Sequence, residues 1–202
     1  MKPEEPARAC DVVVIGASAG GLEALMRLLA ELPADLPARI AIVFHRNRFT
    51  DGQILPILQR RSTLPVTEPA TGSPFATGGV YLAPRDHHLE VEDGIFRLDR
   101  GPELHHLRPA ADRLFVTAAE IFGPRVLGVV LSGGGFDGAR GCLAIHERGG
   151  LVMVQAPEDA SFPFMPEFTI AEDDVDLVLP IAEMAAAITA LVRGEAVKAA
   201  KK

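Results

Sequence analysis

Three side chains in this sequence could together carry out acyl transfer: the hydroxyl of Ser18, the imidazole of His45 and the carboxylate of Asp137. They are the parts of a Ser-His-Asp relay. The imidazole takes the serine proton and hands it to the leaving group, while the carboxylate fixes the imidazole tautomer and steadies its charged form. Ser18 lies in Gly16-Ala17-Ser18-Ala19-Gly20-Gly21, where Gly16, Ser18 and Gly20 meet the pattern Gly-x-Ser-x-Gly. Glycine takes backbone angles that a side chain forbids and lets other groups approach closely. A serine at a sharp strand-to-helix turn stands clear of the backbone, near N–H groups able to hold an oxyanion. The same turn could instead cradle a phosphate, or bind nothing. A glycine-rich turn before a helix also opens dinucleotide sites, although Ser18 occupies the second glycine of that fingerprint.

Each residue also has a plainer reading. His45 could cap a strand end. Asp137 could be the N-cap of a helix starting near Gly138. Ser132 competes as a nucleophile but lacks so clean a strand-turn-helix frame. The pairs His87-His88 and His105-His106 invite a metal reading. Adjacent imidazoles on a strand point to opposite faces, and no Cys or carboxylate spacing completes a site. No metal and no cofactor are therefore expected. Asp173, Asp174 and Asp176 read as a solvated turn.

The elements that must position these residues follow from periodicity. Val12 to Ile15 is a β-branched apolar run, a buried strand. Leu22, Leu25, Met26 and Leu29 recur on one helical face. Further strands are predicted over 40–44, 65–68, 80–83, 126–131, 151–155 and 176–179. Helices are predicted over 51–60 (weakened by Pro56), 110–122, 139–147 and 181–192. Residues 88–91 and 95–98 flank Glu92-Asp93-Gly94 and read as a hairpin. Repeated βα units imply an α/β fold: a doubly wound, mostly parallel sheet with helices on both faces and an added antiparallel β-hairpin. In such sheets ligands bind beyond the carboxyl ends of the strands. Ser18, His45 and Asp137 all follow strand ends, which puts them on one edge.

The 202 residues suit one domain, and 48% hydrophobic content is ample for a core. The division expected is an N-terminal extension over 1–10, a catalytic domain over 11–193 and a disordered tail over 194–202. The absence of Trp, a single Tyr and a formal net charge of −7 argue against nucleic acid or an anionic membrane surface. Cys10 and Cys142 make no metal pattern and read as reduced thiols. No run approaches the roughly 18 apolar residues of a membrane span, and no signal peptide is evident. A soluble, cytoplasmic protein without membrane insertion is expected.

Six blocks then occur in a telling order: Val14-Ile15-Gly16-Ala17-Ser18-Ala19-Gly20-Gly21-Leu22-Glu23-Ala24-Leu25; Val43-Phe44-His45; Gly79-Val80-Tyr81-Leu82-Ala83-Pro84 with Asp86-His87-His88-Leu89; Pro109-Ala110-Ala111-Asp112-Arg113-Leu114-Phe115; Leu131-Ser132-Gly133-Gly134-Gly135-Phe136-Asp137-Gly138; and Met165-Pro166 with Val175-Asp176 to Pro180. Together they resemble the catalytic domain of the CheB-type chemotaxis protein-glutamate methylesterases. The resemblance implies Ser18 as nucleophile, His45 as base and Asp137 as its orienter. Ala19, Gly20 and Gly134 are then the backbone oxyanion donors. The implied reaction is hydrolysis of glutamate γ-methyl esters on chemoreceptor cytoplasmic helices, with glutamine deamidation as a related activity.

The sequence also departs from that family's pattern. Gly134 stands where the loop usually has Met, and Phe136 where a small or polar residue is common. Arg46-Asn47-Arg48 replaces Met-Pro, and Glu167-Phe168 stands where small residues are usual. Arg46, Arg48 and Arg85 could form a basic rim for acidic receptor helices. The family usually carries an N-terminal receiver domain. Here about ten residues precede the first strand, so an isolated or stand-alone catalytic domain is expected, with any regulatory receiver domain on a separate chain. Two other readings remain: a catalytically weak or inactive binding module of the same fold, and a nucleotide-binding α/β module.

Overall fold

The computed structural model describes residues 10–45, 53–172 and 175–197. In chain order the elements are β1 (Val12–Ala17), α1 (Gly21–Glu31), β2 (Arg39–Phe44), α2 (Ile54–Arg61), β3 (Val66–Thr67), β4 (Gly79–Leu82), β5 (His88–Glu92), β6 (Ile95–Asp99), α3 (Ala111–Phe122), β7 (Val126–Val130), α4 (Ala139–Glu147), β8 (Leu151–Gln155), α5 (Phe164–Glu172), β9 (Leu177–Leu179) and α6 (Ile181–Arg193). Among the described residues, seven strands form one sheet in the order β3-β4-β2-β1-β7-β8-β9. Every pair in it is parallel.

The chain leaves β1 towards β2 on one side and returns to β7 on the other. The order therefore reverses beside β1, where a crevice opens at the carboxyl ends of the strands. Side chains alternate across each strand. Val13, Ile15 and Ala17 join one core cluster with α1, α2 and α6. Val12 and Val14 join the other, with Leu114 and Phe115 of α3, Cys142 and Ile145 of α4, and Met165 of α5.

The hairpin is the added antiparallel pair expected, and it forms a two-stranded sheet of its own. Asp93 and Gly94 make its tight turn, both at positive φ (50° and 80°), as a two-residue hairpin turn demands. Its apolar side, Leu89, Val91 and Phe96, is buried in the same cluster as α3.

Several expectations need correction. Helix α2 tolerates Pro56 because the residue is third in the helix, where its missing N–H has no intrahelical acceptor. Helix α5 was not expected. Prolines disfavour a helix interior, and the segment's apolar residues make no single stripe: Met165 is buried while Phe164 and Phe168 are exposed. Pro166, again third in its helix, is harmless there. Asp176 precedes β9 rather than starting it and is more than a solvated turn, since its carboxylate accepts the Val152 N–H. Asp173 and Asp174 lie outside the described residues. At the ends of the domain, Cys10 is fully buried and its N–H donates to the Leu191 carbonyl, and Val197 packs on the first core cluster. No helix among the described residues is long and apolar enough to cross a membrane.

Candidate active site

Strand register brings the first two residues of interest together. Ala17 of β1 pairs with Phe44 of β2, so Ser18 and His45 are the next positions on adjoining strands. The His45 N–H donates to the Ala17 carbonyl, and the Ser18 N–H donates to the Ser132 carbonyl beyond β7. Ser18 is thus held between two strand ends, half-buried. The Gly21 N–H closes a turn onto the Ser18 carbonyl. Within that turn Gly20 has φ +72°, and a side chain there would strike the Ser132 hydroxyl. Among the described residues, the Ala19 and Gly20 amides donate to no backbone acceptor. Both immediately precede α1, whose N-terminal dipole adds positive character.

Asp137 comes from the loop after β7. Its Oδ2 lies 2.7 Å from His45 Nε2. The same carboxylate accepts the Ala111 N–H at Oδ2 (2.5 Å) and the Asp112 N–H at Oδ1 (3.1 Å). It therefore caps α3, not the helix that follows it. The N-cap of α4 is Gly138, which has no side chain of its own to cap with, and this corrects the capping reading. This approach of α3 requires Gly16, where an added Cβ would come within 3.0 Å of the Ala111 Cβ. Burial works against the charge on Asp137, but the His45 ring and the two α3 amides outweigh it and hold the carboxyl below its ordinary range. An ionised carboxylate only accepts, so His45 carries its proton on Nε2. Nδ1 is then left as the basic nitrogen.

The competing serine has a different role. Ser132 is 1% exposed, its hydroxyl donates to the Ala19 carbonyl (2.9 Å), and it accepts the Phe162 N–H (3.0 Å). It braces the Ser18 turn. His88 is fully buried, with Nδ1 accepting the Ala110 N–H and Nε2 donating to the Pro102 carbonyl. No group of three or more potential metal ligands clusters among the described residues.

Gly133 and Gly134 behave differently. A Cβ on Gly133 would lie 2.1 Å from Met165 Sδ and 2.9 Å from the Ser18 Cβ, so this glycine lets the loop come close to Ser18. A Cβ on Gly134 would meet nothing within 4 Å. Phe136 is 45% exposed between the His105 ring (4.6 Å) and Phe168 (5.4 Å). With Phe164 and Glu167 it lines an open groove of about 420 Å³. Arg85 is exposed beyond β4 at the same sheet edge, while Arg46 and Arg48 lie outside the described residues. Sequence reading missed Asp112 and the α3 amides as supports of Asp137. Asp112 lies within the segment from Pro109 to Phe115 that carries part of the family resemblance, yet nothing local says which loop its helix start faces.

The profile of the CheB methylesterase family matches residues 13–188. The chain belongs to that family. A similar chain from Leptospira interrogans, named a putative protein-glutamate methylesterase/protein-glutamine glutaminase, is 36% identical over 176 residues, 87% of this chain and 91% of that one. The protein-glutamate methylesterase/protein-glutamine glutaminase of Pyrococcus horikoshii is 36% identical over 90% of this chain. A second protein so named, from Anaeromyxobacter dehalogenans, is 40% identical over 93% of it. This CheB-family chain spans 50% and 56% of those two longer relatives. The crystal structure of the Thermotoga maritima CheB methylesterase catalytic domain superposes with a TM-score of 0.86 at 33% identity, covering 91% of this chain and all of that one.

Proposed function

We propose that this chain is a serine esterase that hydrolyses glutamate γ-methyl esters on chemoreceptor cytoplasmic helices and deamidates receptor glutamine. The observation that carries the reading is the 2.7 Å contact between His45 Nε2 and Asp137 Oδ2, with Ser18 next in register to that histidine. The names of its relatives point to the same chemistry.

In this mechanism His45 Nδ1 takes the Ser18 proton as Oγ attacks the ester carbonyl carbon. The negative oxygen that forms is held by the amides of Ala19, Gly20 and Gly134. Collapse breaks the carbon–methoxy bond, and His45 returns its proton to the departing oxygen as methanol. Water, deprotonated by the same nitrogen, then attacks the acyl-enzyme and frees the glutamate carboxylate and Ser18. With glutamine the leaving group is ammonia. Arg85 contributes a basic point on the substrate-facing rim.

The test is methanol release from a receptor fragment carrying labelled methyl esters. Wild type should release label, and Ser18→Ala should release none while its circular dichroism is unchanged. Release by Ser18→Ala at the wild-type rate would discard Ser18 as nucleophile. Receptor binding by wild type without release would favour the binding-module reading.

A further inference from the structure

Asp112 and Asp137 exchange caps. Asp137 accepts the first amides of α3, as described, and Asp112 Oδ1 accepts the Gly138 (3.0 Å) and Gly141 (2.7 Å) N–H groups at the start of α4. A Cβ at Gly141 would lie 2.4 Å from the Phe115 Cβ, so the two helix starts are locked closely together. Both carboxyls are buried, Asp112 at 3% and Asp137 at 2% exposure. The second oxygen of Asp112 has no hydrogen-bond partner among the described residues, and neither does the buried His105 Nε2, which faces it at 3.6 Å. Two bare acceptors would stand opposed there. A proton on either atom turns the contact into a hydrogen bond after a shift of a few tenths of an ångström. His105 is held for this by a left-handed backbone (φ +54°) and by its ring contact with Phe136.

We propose that Asp112 is a positioning residue of the esterase site: it shares one proton with His105, and as a neutral acid it fixes the loop carrying Asp137 while leaving Asp137 the single negative charge there. Burial, and then the charge on Asp137, push the Asp112 carboxyl up, against the pull of the Gly141 and Gly138 amides and of His105. The other charged groups nearby are Arg113, Arg140 and Glu147, which border the α3–α4 groove beside Asp112. Arg113 is engaged by Glu90 and Asp99. The effect on rate rests on the esterase reading, whereas the shared proton is observable without turnover.

Difference infrared spectroscopy on the whole chain near neutral pH reads that proton. Wild type should show the carbonyl stretch of a buried carboxylic acid. The band should vanish in Asp112→Asn and move to higher frequency in His105→Phe, which keeps an aromatic ring against Phe136 but removes the acceptor. No band in wild type, or a band unchanged in either variant, overturns the proposal. If Asp112→Asn does not fold, the His105→Phe shift decides. In turnover, Asn can accept both α4 amides and donate to His105, so Asp112→Asn should recover at least about tenfold of the kcat lost in Asp112→Ala. It should also lack the alkaline decline that wild type shows when the shared proton leaves. Equal impairment of the two variants would mean that a charge, not a neutral acid, is needed.

Discussion

In the proposed relay the two ring nitrogens of His45 have separate tasks, and Asp137 assigns them. By accepting from Nε2 it leaves Nδ1 bare for the serine proton. An amide that turns its NH2 towards the ring reverses the tautomer, and because the same Oδ2 accepts the Ala111 N–H it also gives up that cap of α3. Asp137→Asn is therefore expected to lower kcat on the order of 10³-fold with KM little changed, since the interaction matters most as the imidazolium forms. Steady-state methanol release measures this, and a loss below about tenfold would argue against the relay. The serine comparison belongs to the same scale. Ser132 is spent on two backbone groups, the Ala19 carbonyl of the Ser18 turn and the Phe162 N–H before α5. Ser132→Ala should thus reduce activity by loosening that turn, whereas Ser18→Ala should end it.

At the scale of elements, the site exists because loops and helix starts approach more closely than side chains normally allow. Gly133 and Gly134 are neighbours with opposite prospects. Gly133→Ala drives a methyl into Met165 and Ser18, and should cost about 1–3 kcal/mol of stability by overpacking as well as most of the activity. Gly134→Met meets open space without a left-handed backbone. It should raise stability by roughly 0.4–1 kcal/mol by restricting the unfolded chain, and leave the amide in place. Thermal denaturation with methanol release separates the two cases. A destabilised Gly134→Met would show that the loop samples a conformation only glycine allows. The same logic explains Gly16, whose missing side chain admits the α3 start that caps Asp137.

For the molecule as a whole, partly and fully buried carboxylates set the response to pH. Asp11 joins Arg39 of β2 and Arg125 before β7 at the amino end of the sheet. Burial opposes its charge, but Arg125 and then Arg39 hold its carboxyl below the ordinary range. Asp137 is held low at the opposite end. A carboxyl whose folded value is depressed contributes stability that is present above its unfolded value, about 4, and is lost as pH falls through the folded one. The melting temperature should therefore fall steeply below about pH 4, and less steeply in Asp11→Asn, which starts lower. Parallel acid slopes in wild type and variant would contradict this. Asp112 has the opposite sign. Its raised value makes its contribution complete below the ordinary carboxyl range and lost as pH rises through the folded value.

Much of this protein was legible from local pattern. The apolar run 12–15, the stripe of α1 and the Asp93-Gly94 turn each carry their own period or backbone requirement, so β1, α1 and the hairpin stood where expected. Helix α5 did not, because prolines near a helix start look like breakers until a helix is known to begin there. Chain order also put Ser18, His45 and Asp137 beyond strand ends, since parallel strands share one carboxyl edge. Which carboxylate meets which helix was a matter for the tertiary structure. Asp137 caps α3 and Asp112 caps α4, each the start of the other's helix, and His105 closes on Asp112. A residue's type and its spacing to neighbours govern its own helix or strand. Contacts between segments far apart in the chain depend on how closely two elements can approach, and that is set only once both are packed on the sheet.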